Sequence, residues 1–593
     1  MAAMKKNESL SNSDNSRRWK RRELGLLILY AIVFYFIVIR RSLHISRDHH
    51  SRLHGLRPGW LTKFTHLPND VSDAQWRNFR GNLPILTFVF GIFALVANTL
   101  RAYFDLKARG MSIVWLFISL IYLSYLHGAC IIFILAIASL NYLLVKIFAR
   151  KKYFSLVIWS FNIFFLLCNR VYEGYSFSII GPFVFITRPY NKKGTSLDHM
   201  ASSGTRIGKI LTLDSVKYFV LRMISFGYDY HWANHDSRFD QKMAMCMRVA
   251  PDTLLLNIGS FEFQELNYSS GKHIQRCHVC KSGKTCYQLL QERSVQNDKY
   301  ALSIYICYLV YAPLYLAGPI ISFNAFASQM QTFLEASALD SCGGDALHVL
   351  ELDVPQNNYS IRDMAHYGLR WVFSLVLMEL MTHLVHYNAF AISGLWKQLS
   401  PMDVFIIGYG ICGIEALENM PRCINNCHNL EDFWKNWHAS YNKWLVRYMY
   451  IPLGGSRKKL LNVWVIFTFV AIWHDLEWKL LSWAWLTCLF FIPEMILKSA
   501  TSALQVESAL GRFIFRELSA VAGAITITCL MVANLVGYVV GLSSINWLIS
   551  HFLQKEGLSV LAGMFLTFYV GTKLMFHIDD AKRRRHYSKE SGL

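Results

Sequence analysis

Charge is scarce along this chain. Only 17% of its 593 residues are Asp, Glu, Lys or Arg, whereas 53% are hydrophobic and the mean hydropathy is +0.27. A water-soluble protein of this length covers itself with more charge, so lipid is the expected solvent. The apolar regions also lack the alternation of apolar and polar residues that a membrane barrel needs. There is no internal repeat, no phosphate-cradling glycine loop and no dinucleotide fingerprint. A G-x-S-x-G elbow is missing, which removes the usual serine-hydrolase nucleophile. Nor is there a discontinuous inverted repeat of the kind many transporters carry. The net charge of +21 belongs to no basic soluble module, so nucleic-acid binding is not expected.

What the chain has is long apolar runs. Residues 23–40 are apolar between charged ends, and residues 82–99 contain no charge. The run 112–145 is also uncharged and is long enough for two spans, with Tyr-Leu-His-Gly at 125–128 as the expected turn. Further segments are expected near 153–169, 299–322, 368–389, 402–418, 462–474, 480–499, 517–541 and 557–576. About 11 membrane segments result, some short or re-entrant. Backbone amides must satisfy each other in lipid, so the predicted class is an all-α polytopic membrane bundle.

Basic residues gather at the ends. Arg18, Lys20, Arg21 and Arg22 precede the first span, and Lys582 to Arg585 follow the last. Positive-inside topology and anionic headgroups account for both clusters and favour cytosolic termini. The first apolar run lacks a small-residue cleavage site and reads as a retained anchor. The expected organisation is a polar N-terminus, anchor and linker over 1–80, a core over 81–576 and a basic cytosolic tail over 577–593. Residues 1–22 are expected to be disordered, and 185–298 form the largest polar break. Within that break Cys277, Cys280 and Cys286 lie near His273 and His278. Zinc is chemically feasible there, but only one pair has ligand spacing, and loop thiols are the simpler reading. No metal is therefore assigned. Asn267 and Asn358 head glycosylation sequons that matter only in luminal loops.

Two histidines stand in unusual settings. His474 ends the apolar run NVWVIFTFVAIW, and His438 lies in FWKNWHASYNKW. An imidazole at membrane depth needs a polar partner or a cavity. It can also take a proton from a hydroxyl near neutral pH and return it to a leaving group. Position alone leaves base and structural roles for His474 about equal, and Asp475 places it near a membrane edge. Around His438, a continuous helix would put Trp434, Trp437 or His438, and Tyr441 on one broad face, as in an interfacial amphipathic helix. The functional alternative is a polar wall with Trp434, Asn436, Trp437, Lys443 and Arg447 binding the donor. Lys443 and Arg447 would then reach phosphate, or else snorkel. Arg222 and Asp229 are seven residues apart, too far to touch on one straight helix, so each is expected to pair elsewhere. Glu379, His383 and His386 interrupt an apolar helix, and structural pairing is the favoured reading.

Taken together, FWKNWHASYNKWLVRYMYIPLGG at 433–455 and VAIWHD at 470–475 resemble the membrane-bound O-acyltransferase family. YAPLYLAGPIISFNAF at 311–326, NRVYEGYSF at 169–177 and ENMPRCINN at 418–426 sharpen the likeness to its glycerol-uptake-protein branch, near the hedgehog acyltransferase-like proteins. The resemblance covers roughly residues 80–576, with the cysteine-containing insert near 255–295 the least familiar part. It implies a helical bundle with a central tunnel and an endoplasmic reticulum location. It also implies acyl-CoA as co-substrate, no cofactor, and a lipid acceptor such as a lyso-GPI precursor. His474 matches the family's catalytic histidine. His438 matches a second polar position held by asparagine or histidine in relatives.

Overall fold

The computed structural model describes residues 2–104, 108–127, 130–171, 217–234, 291, 294–295, 297–311, 314–315, 320–328, 361–406, 427–474, 477–502, 508–541 and 545–590. In chain order these form α1 (Ala2–His49), a ribbon of β1 (Leu56–Arg57) and β2 (Asn69–Asp70) with the single turn α2 (Thr62–Thr65) between them, and α3 (Ala74–Phe104). Then come α4 (Ala108–His127), α5 (Cys130–Phe148), α6 (Phe154–Val171), α7 (217–234) and α8 (Leu302–Val310). After these lie α9 (Ile361–Leu384), α10 (Tyr387–Ser393), α11 (Leu430–Asn436) and α12 (Ala439–Leu445). The chain closes with α13 (Lys459–His474), α14 (Trp478–Ser502), α15 (Ala509–Asn534), α16 (Ile545–Phe552) and α17 (Lys555–Glu590).

The mostly helical class agrees with the sequence. The run 112–145 folds as two helices, and α4 stops at His127, at the expected turn. Five helices among the described residues are long and apolar enough to cross a membrane: Trp19–Arg52, Ile131–Phe148, Trp478–Thr501, Ala509–Gly537 and Lys555–Arg585. A sixth span arises if α9 and α10, bent by 50° at their junction, are taken together. Of the other expected segments, 82–99 lies within the 31-residue α3, α8 and α13 are shorter helices, and 402–418 extends beyond the described residues. The start of the chain differs from expectation: α1 begins at Ala2, so the polar residues before the first span continue its helix. The segments holding His273, Cys277, His278, Cys280, Cys286, Asn267 and Asn358 lie outside the described residues, as does 418–426.

The chain divides into two compact units. The first comprises 1–85, 361–442 and 453–593; the second comprises 86–360 and 443–452.

In the first unit α1, α15 and α17 pack together. Val38, Phe405, Ile406, Ala524, Met564 and Phe568 form their shared core. A Cβ on Gly523 would fall 2.6 Å from Thr572 Cγ2, so the missing side chain lets α15 and α17 approach closely. The buried Lys573 of α17 is paired, as burial in lipid requires. Lys573 Nζ reaches Glu23 at 2.5 Å and Glu517 at 2.7 Å. The 53–72 segment lies against the α9–α10 junction, where Ile45, Leu53, Tyr387 and Phe390 share a core. His383 Nδ1 donates to Glu379 O at 2.7 Å, and His386 Nε2 donates to Pro68 O at 2.9 Å. Trp60 and Arg80 both reach the Glu379 carboxylate. The polar residues inside the apolar run thus fasten the N-terminal segment to a bent helix pair, in line with the structural reading.

The second unit is held by a buried polar knot. Asp229 on α7 is fully buried and pairs with Arg447 Nη2 at 3.0 Å. Tyr448 Oη donates to the same carboxylate at 3.1 Å, and the Asn324 amide donates to it at 2.9 Å. Arg222 donates to Leu309 O at 2.7 Å and to Leu314 O at 2.5 Å. Arg222 and Asp229 therefore find partners elsewhere, as their spacing required.

Candidate active site

The two singled-out histidines both fall in the first unit, and α11, α13 and α14 position them. Helix α11 starts where Asn429 caps it: the Asn429 side chain accepts from the Asp432 amide at 2.7 Å. Glu494 on α14 accepts from the Leu430 amide at 2.7 Å and the Glu431 amide at 3.2 Å. A carboxylate from a neighbouring helix thus satisfies orphan donors of the first turn and clamps α11 onto α14. Helices α13 and α14 form a hairpin, and His474 is the last residue of α13.

This clamp aligns a wall of rings. The His474 ring is 6.3 Å from Trp483, edge-on at 88°. Trp483 is 5.6 Å from Trp434, which is 6.3 Å from Trp437, and the Trp437 ring is 5.4 Å from His438. Each contact is edge-to-face, the arrangement aromatic quadrupoles favour. A second connection returns from the other side: Tyr441 packs on Trp473 at 4.7 Å, and Trp473 packs on His474 at 4.9 Å. Phe467 fills the space beside Trp434 at 5.0 Å. Trp483 is itself locked, donating from Nε1 to Asn534 Oδ1 at 3.0 Å. Gly537 makes room for it, because a Cβ there would lie 2.7 Å from Trp483 Cβ.

The stretch around His438 is not one helix. Trp437 turns to φ −70° and ψ 120°, and His438 takes φ +44°. The chain re-enters a helix at Ala439, with the Asn442 amide donating to His438 O at 3.0 Å. A left-handed non-glycine residue costs about 1–2 kcal/mol, and such strain concentrates at functional sites. Histidine and asparagine are among the side chains that tolerate it. The break, rather than a shared helical face, presents His438 beside Trp437. His438 is exposed as a residue, and its ring is shielded only in part, with the Trp437 ring beside it. That desolvation holds its imidazole below the usual histidine range, so it is neutral at pH 7.

The other sequence candidates divide by unit. Trp434 and Trp437 form the wall between the histidines. Trp434 Nε1 is buried without a hydrogen-bond partner among the described residues. Asn436 spends its amide on Asp432 O at 2.6 Å. Lys443 and Arg447 belong to the second unit. Lys443 is exposed, while Arg447 is engaged by Asp229 and stacks 4.7 Å over Trp232. Asp475 lies outside the described residues. Sequence reasoning did not single out Trp483, Asn534, Glu494 or Gly537. Their only signal was placement in apolar runs, which fits any core residue.

A half-buried imidazole at a helix end, with a second imidazole across an aromatic wall, suits proton transfer in a solvent-poor site. Relatives point the same way. The chain is 28% identical to membrane-bound O-acyltransferase gup1 of Schizosaccharomyces pombe, over 92% of this chain and 88% of the relative. It is 28% identical to the GUP1 membrane-bound O-acyltransferase of Saccharomyces cerevisiae, over 87% and 83%. A more partial match, 26% identical over 41% of this chain and 51% of the relative, is to the mouse protein-cysteine N-palmitoyltransferase HHAT. The model of the membrane-bound O-acyltransferase family matches residues 200–534, more than half of the chain and both histidines. The chain belongs to the membrane-bound O-acyltransferase family.

Proposed function

We propose that this multi-pass membrane acyltransferase moves a long-chain acyl group from acyl-CoA to a hydroxyl of a lipid acceptor in the endoplasmic reticulum. The observation that carries the reading is the aromatic wall joining His474 to His438. His474 accepts the acceptor's hydroxyl proton as the oxygen attacks the thioester carbon. A tetrahedral oxyanion forms, and the neutral His438 ring, with one N–H to give, stabilises it or holds the acceptor. Collapse breaks the carbon–sulfur bond, and the proton on His474 passes to the departing coenzyme A thiolate. No covalent enzyme intermediate or cofactor is needed. The aromatic faces keep bulk water from the thioester and align the two substrates.

A lyso-GPI precursor is our leading acceptor, on the likeness to the glycerol-uptake branch. Purified protein in lipid, given palmitoyl-CoA and a panel of lyso-GPI precursor, lysophospholipids, monoacylglycerol and glycerol, tests this directly. Acyl transfer that His474→Ala abolishes supports the reading and identifies the acceptor. Folded wild type that acylates nothing, in cells whose function survives loss of both histidines, would favour a noncatalytic scaffold. Polyol uptake that persists without His474 would favour a transporter.

A further inference from the structure

Helix α5 ends in a turn that carries more positive charge than a helix end needs. The apolar span Ile131–Phe148 stops there, and Arg150, Lys151 and Lys152 follow it, all exposed. The turn is tight: the Lys151 amide donates to Phe148 O at 2.8 Å, and the Phe154 amide donates to Lys151 O at 3.1 Å. Helix α7 braces it, with the His231 ring stacked 4.5 Å from Phe154 and its Nδ1 against Ala149 O. A fourth cation, Lys146, stands one helical turn before Arg150. Its Nζ lies 3.9 Å from the Tyr230 ring centroid and 5.3 Å from that of Tyr142. Rings from α7 and α5 therefore hold this ammonium beside the turn.

A helix C-terminus carries about half a negative charge, so a single lysine would offset it. Here four cations gather, and like charges one turn apart repel. No carboxylate balances them. Among the described residues, α4, α5, α6 and α8 contain no aspartate or glutamate, and Asp229, the acid of α7, is committed to Arg447. None of the four forms an ion pair among the described residues. Tyr230 registers the field they leave. Burial works upward on its hydroxyl, but Asn234, Lys146 and Arg150 outweigh burial and draw the phenol below its usual range.

We propose that Lys146, Arg150, Lys151 and Lys152 form a docking site for the phosphate of an anionic membrane phospholipid. The position supports a lipid over a soluble anion. The cations stand where an apolar span ends, at headgroup level, and lysine and arginine there attract anionic lipid. Apolar side chains run away from the turn on both helices: Leu143 and Ile147 of α5 and Leu156 of α6 are 55%, 63% and 69% exposed. Acyl chains lie along them while the phosphate meets the cations. Lys146 is the inner contact, preorganised by the two rings, and Arg150 offers a planar fork to two phosphate oxygens. All four residues belong to the second unit, whereas both histidines of the candidate active site belong to the first, so the docking does not require acyl transfer.

Native mass spectrometry of the full-length protein, released from phosphatidylcholine nanodiscs doped with phosphatidic acid, reads the retained lipid. Wild type should keep phosphatidic acid in preference to phosphatidylcholine. Arg150→Gln/Lys152→Gln, which alters only exposed side chains, should weaken that retention about tenfold, and adding Lys146→Gln should remove the preference. Arg583→Gln/Arg584→Gln/Arg585→Gln removes three charges from the basic tail and should leave the preference in place. In parallel, coenzyme A titrated into phosphatidylcholine nanodiscs should bind wild type and the double variant alike. Retention of phosphatidic acid by the folded triple variant at the wild-type level overturns the proposal. So does an equal loss in the tail variant, which would mean a diffuse field and no site. Loss of coenzyme A binding by the double variant, with phosphatidic acid still retained, would assign the cations to a soluble polyanion and overturn it as well.

Discussion

Trp483 presents its face edge-on to His474, with ring centroids 6.3 Å apart and planes at 88°. The same indole touches Trp434 and is tied to Asn534. One residue of α14 therefore positions the catalytic candidate on α13 and the aromatic wall on α11. Its orientation is expected to matter as much as its bulk. Trp483→Phe keeps an aromatic face but loses the Asn534 bond, and should lower kcat about tenfold with the fold intact. Gly537→Ala should act similarly, because its Cβ would press 2.7 Å from Trp483 Cβ. Single-turnover acyl transfer alongside melting curves in detergent checks both. Equal loss of stability and rate would mean that the indole is merely core.

The histidines should separate by role. Removing a general base costs about 10²–10⁴-fold in rate, so His474→Ala should fall in that range with little change in melting temperature. His438 carries a backbone requirement as well. At φ +44°, His438→Gly should be about 1 kcal/mol more stable than His438→Ala, because glycine enters this region without a Cβ penalty. His438→Asn should keep the backbone and retain more activity than either. Denaturant titration and rates on the three variants test the order.

Acid should expose the desolvated imidazole. The folded pKa of His438 is below its ordinary 6.5, so the unfolded chain binds more protons between the two values. Stability therefore rises with pH across that window and is lost as pH falls below about 6.5. His438→Asn should flatten this part of the stability–pH curve. An unchanged slope would show that another group sets it.

The Asp229–Arg447 pair is buried and shared with Tyr448. Asp229→Asn leaves a buried guanidinium without its counter-charge, which should cost about 3–5 kcal/mol. Arg447→Met combined with Asp229→Leu should recover much of that loss. A double-mutant cycle of melting free energies reads the coupling directly. Activity that survives in the double variant would support a structural role for Arg447 rather than phosphate contact.

Some of this was legible from residue order. The split of 112–145 into two helices followed from length and the absence of charge. The partners of Arg222 and Asp229 were correctly sought elsewhere, because helical spacing alone forbade their contact. Other features were hidden. A single helix through Trp434 to Tyr441 was the simplest periodic reading, yet a strained residue at His438 divides it. Periodicity carries no record of one positive φ. The linker expected within 1–80 carried no sign of specific contacts, yet its Trp60 and Pro68 bond to Glu379 and His386.

Composition and local order were enough to settle the solvent and the helical class, because lipid leaves backbone amides no other partner. They were also enough to draw attention to His474 and His438, since an imidazole among apolar neighbours is costly. They could not say that one tryptophan and a helix clamp join the two residues, or that tyrosine rings from two helices hold one lysine. Those relationships depend on contacts between residues tens of positions apart. Such contacts come from packing, which no local pattern encodes.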